Sequence, residues 1–170
     1  MGLGPWIQMF STTTEYALRS MVLLAMRRGA PQTAQQIATE TKVPIDYLFK
    51  VLQSLSRAAL VQAQRGKNGG FSLLNDPADI SIYDVIQAVD PIKRIAECPL
   101  GLKAHGVRLC SLHRKLDDAM RHVEEAFSST KLADLIDDSS PVRPLCAGDV
   151  IPPAKIKLLS TARDLHAKTI

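Results

Sequence analysis

Three stretches decide the fold: Thr33-Ala34-Gln35-Gln36-Ile37-Ala38, Pro44-Ile45-Asp46-Tyr47-Leu48, and Leu60-Val61-Gln62-Ala63-Gln64-Arg65-Gly66-Lys67-Asn68-Gly69-Gly70-Phe71-Ser72-Leu73. In the first, Thr33 stands three residues before Gln36, the spacing at which a hydroxyl and a carboxamide cap a helix start reciprocally. Pro44 disfavours helical geometry at Val43 and so separates this short helix from the next. That next helix is predicted from about Ile45 to Leu60, because Leu48, Val51, Leu52, Leu55 and Leu60 follow the i, i+3, i+4, i+7 rule. Residues 60–64 and 71–74 then alternate as strands, and Asn68-Gly69-Gly70 supplies the positive-φ positions of a tight turn. Two helices joined by a short turn, followed at once by a hairpin tipped with Arg65 and Lys67, form a winged helix-turn-helix. One helix of such a module enters the major groove while the thin ribbon reaches phosphates or the adjacent minor groove.

Outward from this segment the chain reads as mostly α. Tyr16, Leu18, Met21, Val22, Leu24, Ala25 and Met26 mark a first helix over 12–28, capped by Thr13 or Thr14 and stopped by Gly29 and Pro31. After the hairpin, Ser81 caps a short helix from Ile82 to Val89. Residues 92–110 lack periodicity and carry Pro99, Gly101 and Gly106, so they read as an irregular loop. Leu112, Leu116, Ala119, Met120, Val123 and Phe127 then form one apolar stripe on a helix of about four turns. With charges between them, the stripe suits packing against its own copy, the alternative being packing within its own domain. Thr130 is placed to cap a last short helix, and residues 137–170 read as a tail with a weak helix over 154–167. The expected fold is therefore a winged helix-turn-helix with a small β-hairpin plus a long dimerisation helix. Its parts are an N-terminal extension (1–11), a DNA-binding domain (12–80), a sensor loop and dimerisation helix (81–136) and a tail (137–170).

Composition narrows the function. The chain has 170 residues, 46% apolar and 22% charged, enough for a core and unlike a disordered chain. No apolar run approaches the ~18 residues of a membrane span, and the first residues lack the pattern of a signal peptide. Three cysteines are an odd count and make no closed disulfide framework, which points to reduced thiols in a cytoplasmic protein. The net charge of +4 is uneven: residues 1–74 hold eight Lys/Arg against three acids, and residues 75–170 hold thirteen against fourteen. A basic half joined to a neutral half suggests a polyanion-binding module with a regulatory segment. No nucleophile elbow, phosphate-cradling loop or His-Glu-x-x-His occurs, so an enzyme is not expected.

Thr13-Thr14-Glu15-Tyr16-Ala17-Leu18-Arg19, Gln36-Ile37-Ala38, Pro44-Ile45-Asp46-Tyr47-Leu48, Ala59-Leu60-Val61 and Arg65-Gly66-Lys67-Asn68-Gly69-Gly70-Phe71 together resemble the Rrf2 family of bacterial transcription regulators. The resemblance runs from about Thr12 to Phe127, and family members start near Met9, so Met1 and Met9 are both candidate starts. It implies a homodimeric winged-helix protein that binds double-stranded DNA at an imperfect palindrome, often as an iron–sulfur sensor. In the recognition helix, Ile45, Asp46, Tyr47 and Lys50 face the bases, with Phe49 beside them. Lys50 suits phosphate or guanine. Asp46 can accept from a cytosine amino group or repel phosphates, and Tyr47 is either a phosphate-contacting hydroxyl or a core plug. Arg19, Thr33 and Gln35 are candidate phosphate clamps. Arg65, by similarity to the family wing, is the candidate minor-groove arginine, and Lys67, Asn68 and Gly69 complete the wing tip.

The loop carries the candidate sensing chemistry. Cys98, His105, Cys110 and His113 are soft ligands of the kind that iron–sulfur and zinc centres prefer. Iron–sulfur members of the family resemble C-x5-C-x5-C-x2-H. In that register this chain has Cys98, Ala104, Cys110 and His113, so the middle cysteine is missing. His105 or Cys146, the latter from the tail or a second subunit, can stand in. Three readings stay open: an iron–sulfur cluster ([2Fe–2S], or [4Fe–4S]) that sets DNA affinity and responds to redox state or nitric oxide, a metal-free switch responding to thiol oxidation or a small molecule, and structural cysteines that sense nothing. The leading expectation is a repressor of the first kind, and a winged-helix protein-interaction module is the reading from a different class.

Overall fold

Helix α1 (Thr12–Met26) is the strut on which the other elements rest. The computed structural model describes residues 10–66, 68–98, 101, 109–136 and 144–145. The α1 cap is Ser11 rather than Thr13 or Thr14; its hydroxyl accepts from the Thr14 N–H at 3.2 Å, and both threonines lie inside the first turn. Helix α2 (Ala34–Thr41) starts with the expected reciprocal cap between Thr33 and Gln36. It ends at Lys42 in the left-handed region, where the Val43 N–H reaches the Ala38 carbonyl at 3.2 Å.

Helix α3 runs Ile45–Arg57, three residues shorter than its apolar pattern predicts. Ala59 turns the chain at φ 56, the Leu60 N–H bonds to the Leu55 carbonyl (3.0 Å), and the Ala59 N–H to that of Ser56 (3.1 Å). This is the paired termination that normally recruits glycine. Leu60 fits the helical period because it is buried in the same core, reached through the turn rather than along the helix. Ala59→Gly should therefore stabilise the protein by roughly 0.5–1 kcal/mol in urea unfolding. Relief of about 1–2 kcal/mol of left-handed strain exceeds glycine's entropic cost of about 0.5–1 kcal/mol.

Strands β1 (Val61–Gln64) and β2 (Gly70–Leu73) pair antiparallel, with Val61 opposite Leu73 and Gln64 opposite Gly70. A third backbone segment, invisible in the pattern, joins them. Gln32 and Phe71 exchange two N–H···O bonds, at 2.9 and 2.8 Å, and so dock the wing onto the turn before α2. A Cβ at Gly70 would lie 2.6 Å from the Gln32 carbonyl oxygen, which explains the glycine at that position.

Helices α4 (Ile82–Val89, capped by Ser81 and Asp84), α5 (Ser111–Ser129) and α6 (Leu132–Ile136) complete the fold. The core draws on both sides of residue 80. Ala17 and Met21 of α1, Ile37, Leu48, Leu55 and Val61 close on Val85 of α4 and Leu132 of α6. Leu132 is held there because its N–H donates to the Ile80 carbonyl (2.9 Å) while the Ile82 N–H donates to that of Thr130 (3.0 Å). Thr130 does not cap α6. Its hydroxyl donates back to the Ala126 carbonyl, and the Asp134 carboxylate accepts from the Lys131 N–H instead. By contrast α5, about 28 Å long at 1.5 Å per residue, buries none of its side chains within the chain.

Candidate nucleic-acid interface and cysteine site

The period of α3 sorts its residues into two faces. Leu48, Val51, Leu52 and Leu55 are buried, while Asp46, Phe49, Lys50, Gln53 and Arg57 are exposed along the opposite side. Asp46 sits in the first turn and Arg57 in the last, each favourably placed for the helix dipole. Ile45 is half-buried at the helix start. Tyr47 lies between the two faces. Its ring meets Tyr16 edge-on at 5.5 Å, its hydroxyl lies 2.5 Å from the Thr13 hydroxyl, and it still keeps a 37% exposed surface. The Lys50 ammonium stands 6.0 Å from the Tyr47 ring centroid, at the outer limit of a cation–π contact.

The basic residues divide by what they touch. Arg19 bonds to Glu15 and to the Thr41 carbonyl (3.3 Å), bracing α1 against α2. Arg27 pairs with Glu40 (3.2 Å) and Arg28 with Asp76 (2.7 Å). Lys50, Arg57 and Arg65 have no carboxylate partner among the described residues, and all three are exposed. Among the described residues, positive charge without a carboxylate partner thus lies on the outer face of α3 and at the turn of the wing, and also at Lys42 at the end of α2, at Lys93 and in the α5–α6 segment. Thr33 and Gln35 are exposed at the start of α2, although the Thr33 hydroxyl is engaged in its cap, donating to Gln36 Oε1 at 2.9 Å. Asn68 and Gly69 lie at the wing tip; Lys67 lies outside the described residues.

The second site is assembled by α5 and the segment before it. Cys110 precedes α5 and His113 occupies its first turn, with Cys110 Sγ 3.3 Å from His113 Nδ1. Cys98, buried, brings its Sγ to 4.0 Å from the same nitrogen. Three of the five predicted ligands therefore meet around one imidazole, although 15 residues separate Cys98 from His113. His105 and Cys146 lie outside the described residues. The donors match a soft metal in kind, but among the described residues no group of three has the arrangement to hold a metal ion. A [2Fe–2S] cluster takes four protein ligands, so this set is one short.

Sequence reasoning missed what brings Cys98 there. Arg94 grips Asp117 through two bonds of 2.6 and 2.5 Å and reaches Glu124 at 3.2 Å. The Ile95 N–H donates to Asp117 at 2.9 Å, and the Tyr83 hydroxyl of α4 donates to Glu124 at 3.3 Å. Residues 94–98 thus run antiparallel to α5, touching Glu124 and Asp117 first and His113 last. Asp117 and Glu124 are seven residues apart on one helical face, a spacing that was readable, but nothing marked Arg94 as their partner. The Arg94 guanidinium, then the Ile95 N–H, pull the Asp117 carboxyl down to about 2, and the same carboxylates raise Arg94. Tyr83 is raised by burial and by Glu124. Because Asp117 is depressed in the folded state, its contribution to stability is complete above about pH 3.8 and fades as pH falls through about 2. Carboxyl NMR should find Asp117 ionised at pH 3; in Arg94→Met its midpoint should return towards 3.8.

A family model described as Rrf2, iron-dependent transcriptional regulator, matches residues 10–138. The chain belongs to the Rrf2 family. An Aquifex aeolicus protein named as an HTH-type transcriptional regulator is 31% identical over 130 residues, covering 75% of this chain and 90% of that one. Among solved Rrf2-like structures, CymR of B. subtilis, its global cysteine regulator, superposes with a TM-score of 0.63 at 27% identity, covering 74% of this chain and 94% of CymR. IscR of T. potens gives 0.63 at 26% identity, with 77% and 88% covered. The oxidised form of Staphylococcus aureus CymR gives 0.57 at 27% identity, with 74% and 93% covered. The winged-helix expectation therefore holds, and no helix among the described residues is long and apolar enough to cross a membrane.

Proposed function

We propose that this Rrf2 protein is a homodimeric, sequence-specific transcriptional repressor whose DNA affinity is set by the chemical state of Cys98, Cys110 and His113. The observation that carries the DNA part is the set of exposed cations without a carboxylate partner among the described residues, Lys50 and Arg57 on α3 and Arg65 at the wing. On this reading α3 occupies the major groove, Arg65 enters the neighbouring minor groove, and two copies related through α5 read an imperfect palindrome. Arg65→Ala should weaken operator binding and lower the slope of log K against log salt by about one unit. An unchanged isotherm over a salt series removes the wing from the interface.

For the sensing part, Cys98, Cys110 and His113 would hold an iron–sulfur cluster, with His105 or Cys146 completing the set. When bound, the cluster supplies a centre whose redox state or reaction with nitric oxide alters the ligands' positions. The chain's own residues carry such a change onward. Cys98 is tied through Ile95 and Arg94 to Asp117 and Glu124, and Glu124 is tied to Tyr83 of α4, whose neighbour Val85 lies in the winged-helix core. Absence of the middle cysteine, at Ala104, favours a second reading in which Cys98 and Cys110 form a reversible disulfide with His113 beside both thiols. Anaerobic purification separates them. Brown protein that retains iron, and loses it in Cys98→Ser and Cys110→Ser, supports the cluster. Colourless protein without iron after reconstitution, and with a dithiothreitol-reversible mass loss of two hydrogens on oxidation, supports the disulfide.

A further inference from the structure

We propose that Phe49 reads the 5-methyl group of a thymine in each half-site, an inference that rests on the DNA-binding function proposed above. Phe49 is 53% exposed in the middle of α3 and on the same face as Asp46, Lys50 and Gln53. Isolated exposed apolar side chains are ordinary on protein surfaces; what sets this one apart is its setting. Its ring stands at the edge of a groove of about 370 Å³ between α3 and β2, floored by Leu52 and Phe71 and rimmed by Lys50, Gln53 and Ser56. The rim is made of hydrogen-bonding groups, and the nearby cations Lys50, Arg57 and Arg65 have no carboxylate partner among the described residues, which suits a polyanion rather than an apolar peptide. Within a major groove the thymine C5-methyl is the one apolar group that projects from the base-pair edges, and contact with it is the readout available to an aromatic side chain. Lys50 and Gln53, one residue after and one turn beyond Phe49, can meanwhile bond to flanking bases. Phe49 would thus fix a thymine between positions chosen by hydrogen bonds.

The test uses the full chain. Binding sites are selected from a randomised duplex, and each thymine of the selected site is then replaced singly by uracil, which removes only the methyl. One thymine per half-site should lose about fourfold in affinity on this change, the worth of one buried methyl, and about fifteenfold when both half-sites are changed. In Phe49→Ala that penalty should disappear while penalties at other positions remain, and Phe49→Leu should retain part of it. At the same position, 5-methylcytosine should bind better than cytosine. The inference is overturned if no uracil substitution matters, or if the penalty is the same in Phe49→Ala, which would assign the methyl contact to another side chain. Enrichment of no sequence at all overturns the DNA-binding reading with it, and is recognised because no uracil series can then be built. If Phe49→Ala leaves the selected site unchanged but abolishes binding to a protein, the ring belongs to a protein contact and the inference fails. Thermal unfolding of both variants checks that the exposed position leaves the fold intact.

Discussion

Leu132→Ala should lower the unfolding free energy by about 2–5 kcal/mol, the range for emptying a fully enclosed leucine site. Leu132 is 0% exposed although it comes from a five-residue helix that sequence reading assigns to the end of a separate segment. It fills the core between α1 and α4 and is pinned by the pair of backbone bonds that join Ser81 to Lys131. Since whole domains are stable by only about 5–15 kcal/mol, one substitution at this end of the chain should visibly destabilise the DNA-binding module. The decisive measurement is a urea curve read by two probes, far-ultraviolet dichroism and hydrogen exchange at Ala17 or Met21. A single shifted transition in both means that α6 and the winged helix unfold together. Loss confined to amides after residue 110 would show that α6 is an appendage.

Leu116→Glu should convert the protein to a monomer and reduce operator affinity by about 10²–10⁴-fold, the advantage that a second linked half-site supplies. Within one chain no residue of α5 is fully buried, and Leu112 and Leu116 are 63% and 47% exposed. Met120 and Val123 are half-buried on the same stripe, and Phe127 has an internal partner in Phe10, at 5.4 Å. A 19-residue helix exposing leucines at i and i+4 is accounted for if a second copy covers them. Because Leu116 is exposed in the monomer, the substitution should leave the unfolding midpoint of the isolated chain nearly unchanged. Sedimentation velocity and a gel-shift titration on the same variant give both numbers. A protein that still sediments as a dimer would show that the stripe faces something else.

The readable parts of this molecule are those in which neighbours in sequence are neighbours in space. The Thr33–Gln36 cap, the Ser81 cap, the buried face of α3 and the β1–β2 pairing each span few residues, and local patterning specifies them. Errors arose where a longer-range contact prevailed. Leu60 obeyed a helical period yet reached the core through a turn at Ala59. Thr130 looked like a cap, but its carbonyl was engaged by Ile82.

From its residues alone this chain declared its class: a basic winged helix, an apolar stripe along a later helix, and thiols and imidazoles gathered in one loop. Periodicity, capping chemistry and charge are local quantities, and they suffice for that. Only the folded structure decided which cations remain unmatched, that Gln32 anchors the wing, that Leu132 completes the core, and that Arg94 holds the Cys98 arm along α5. The wing anchor, the Leu132 contact and the Arg94 clamp each join residues 20 or more apart, and one sequence carries no local pattern that says which distant partner a side chain will meet.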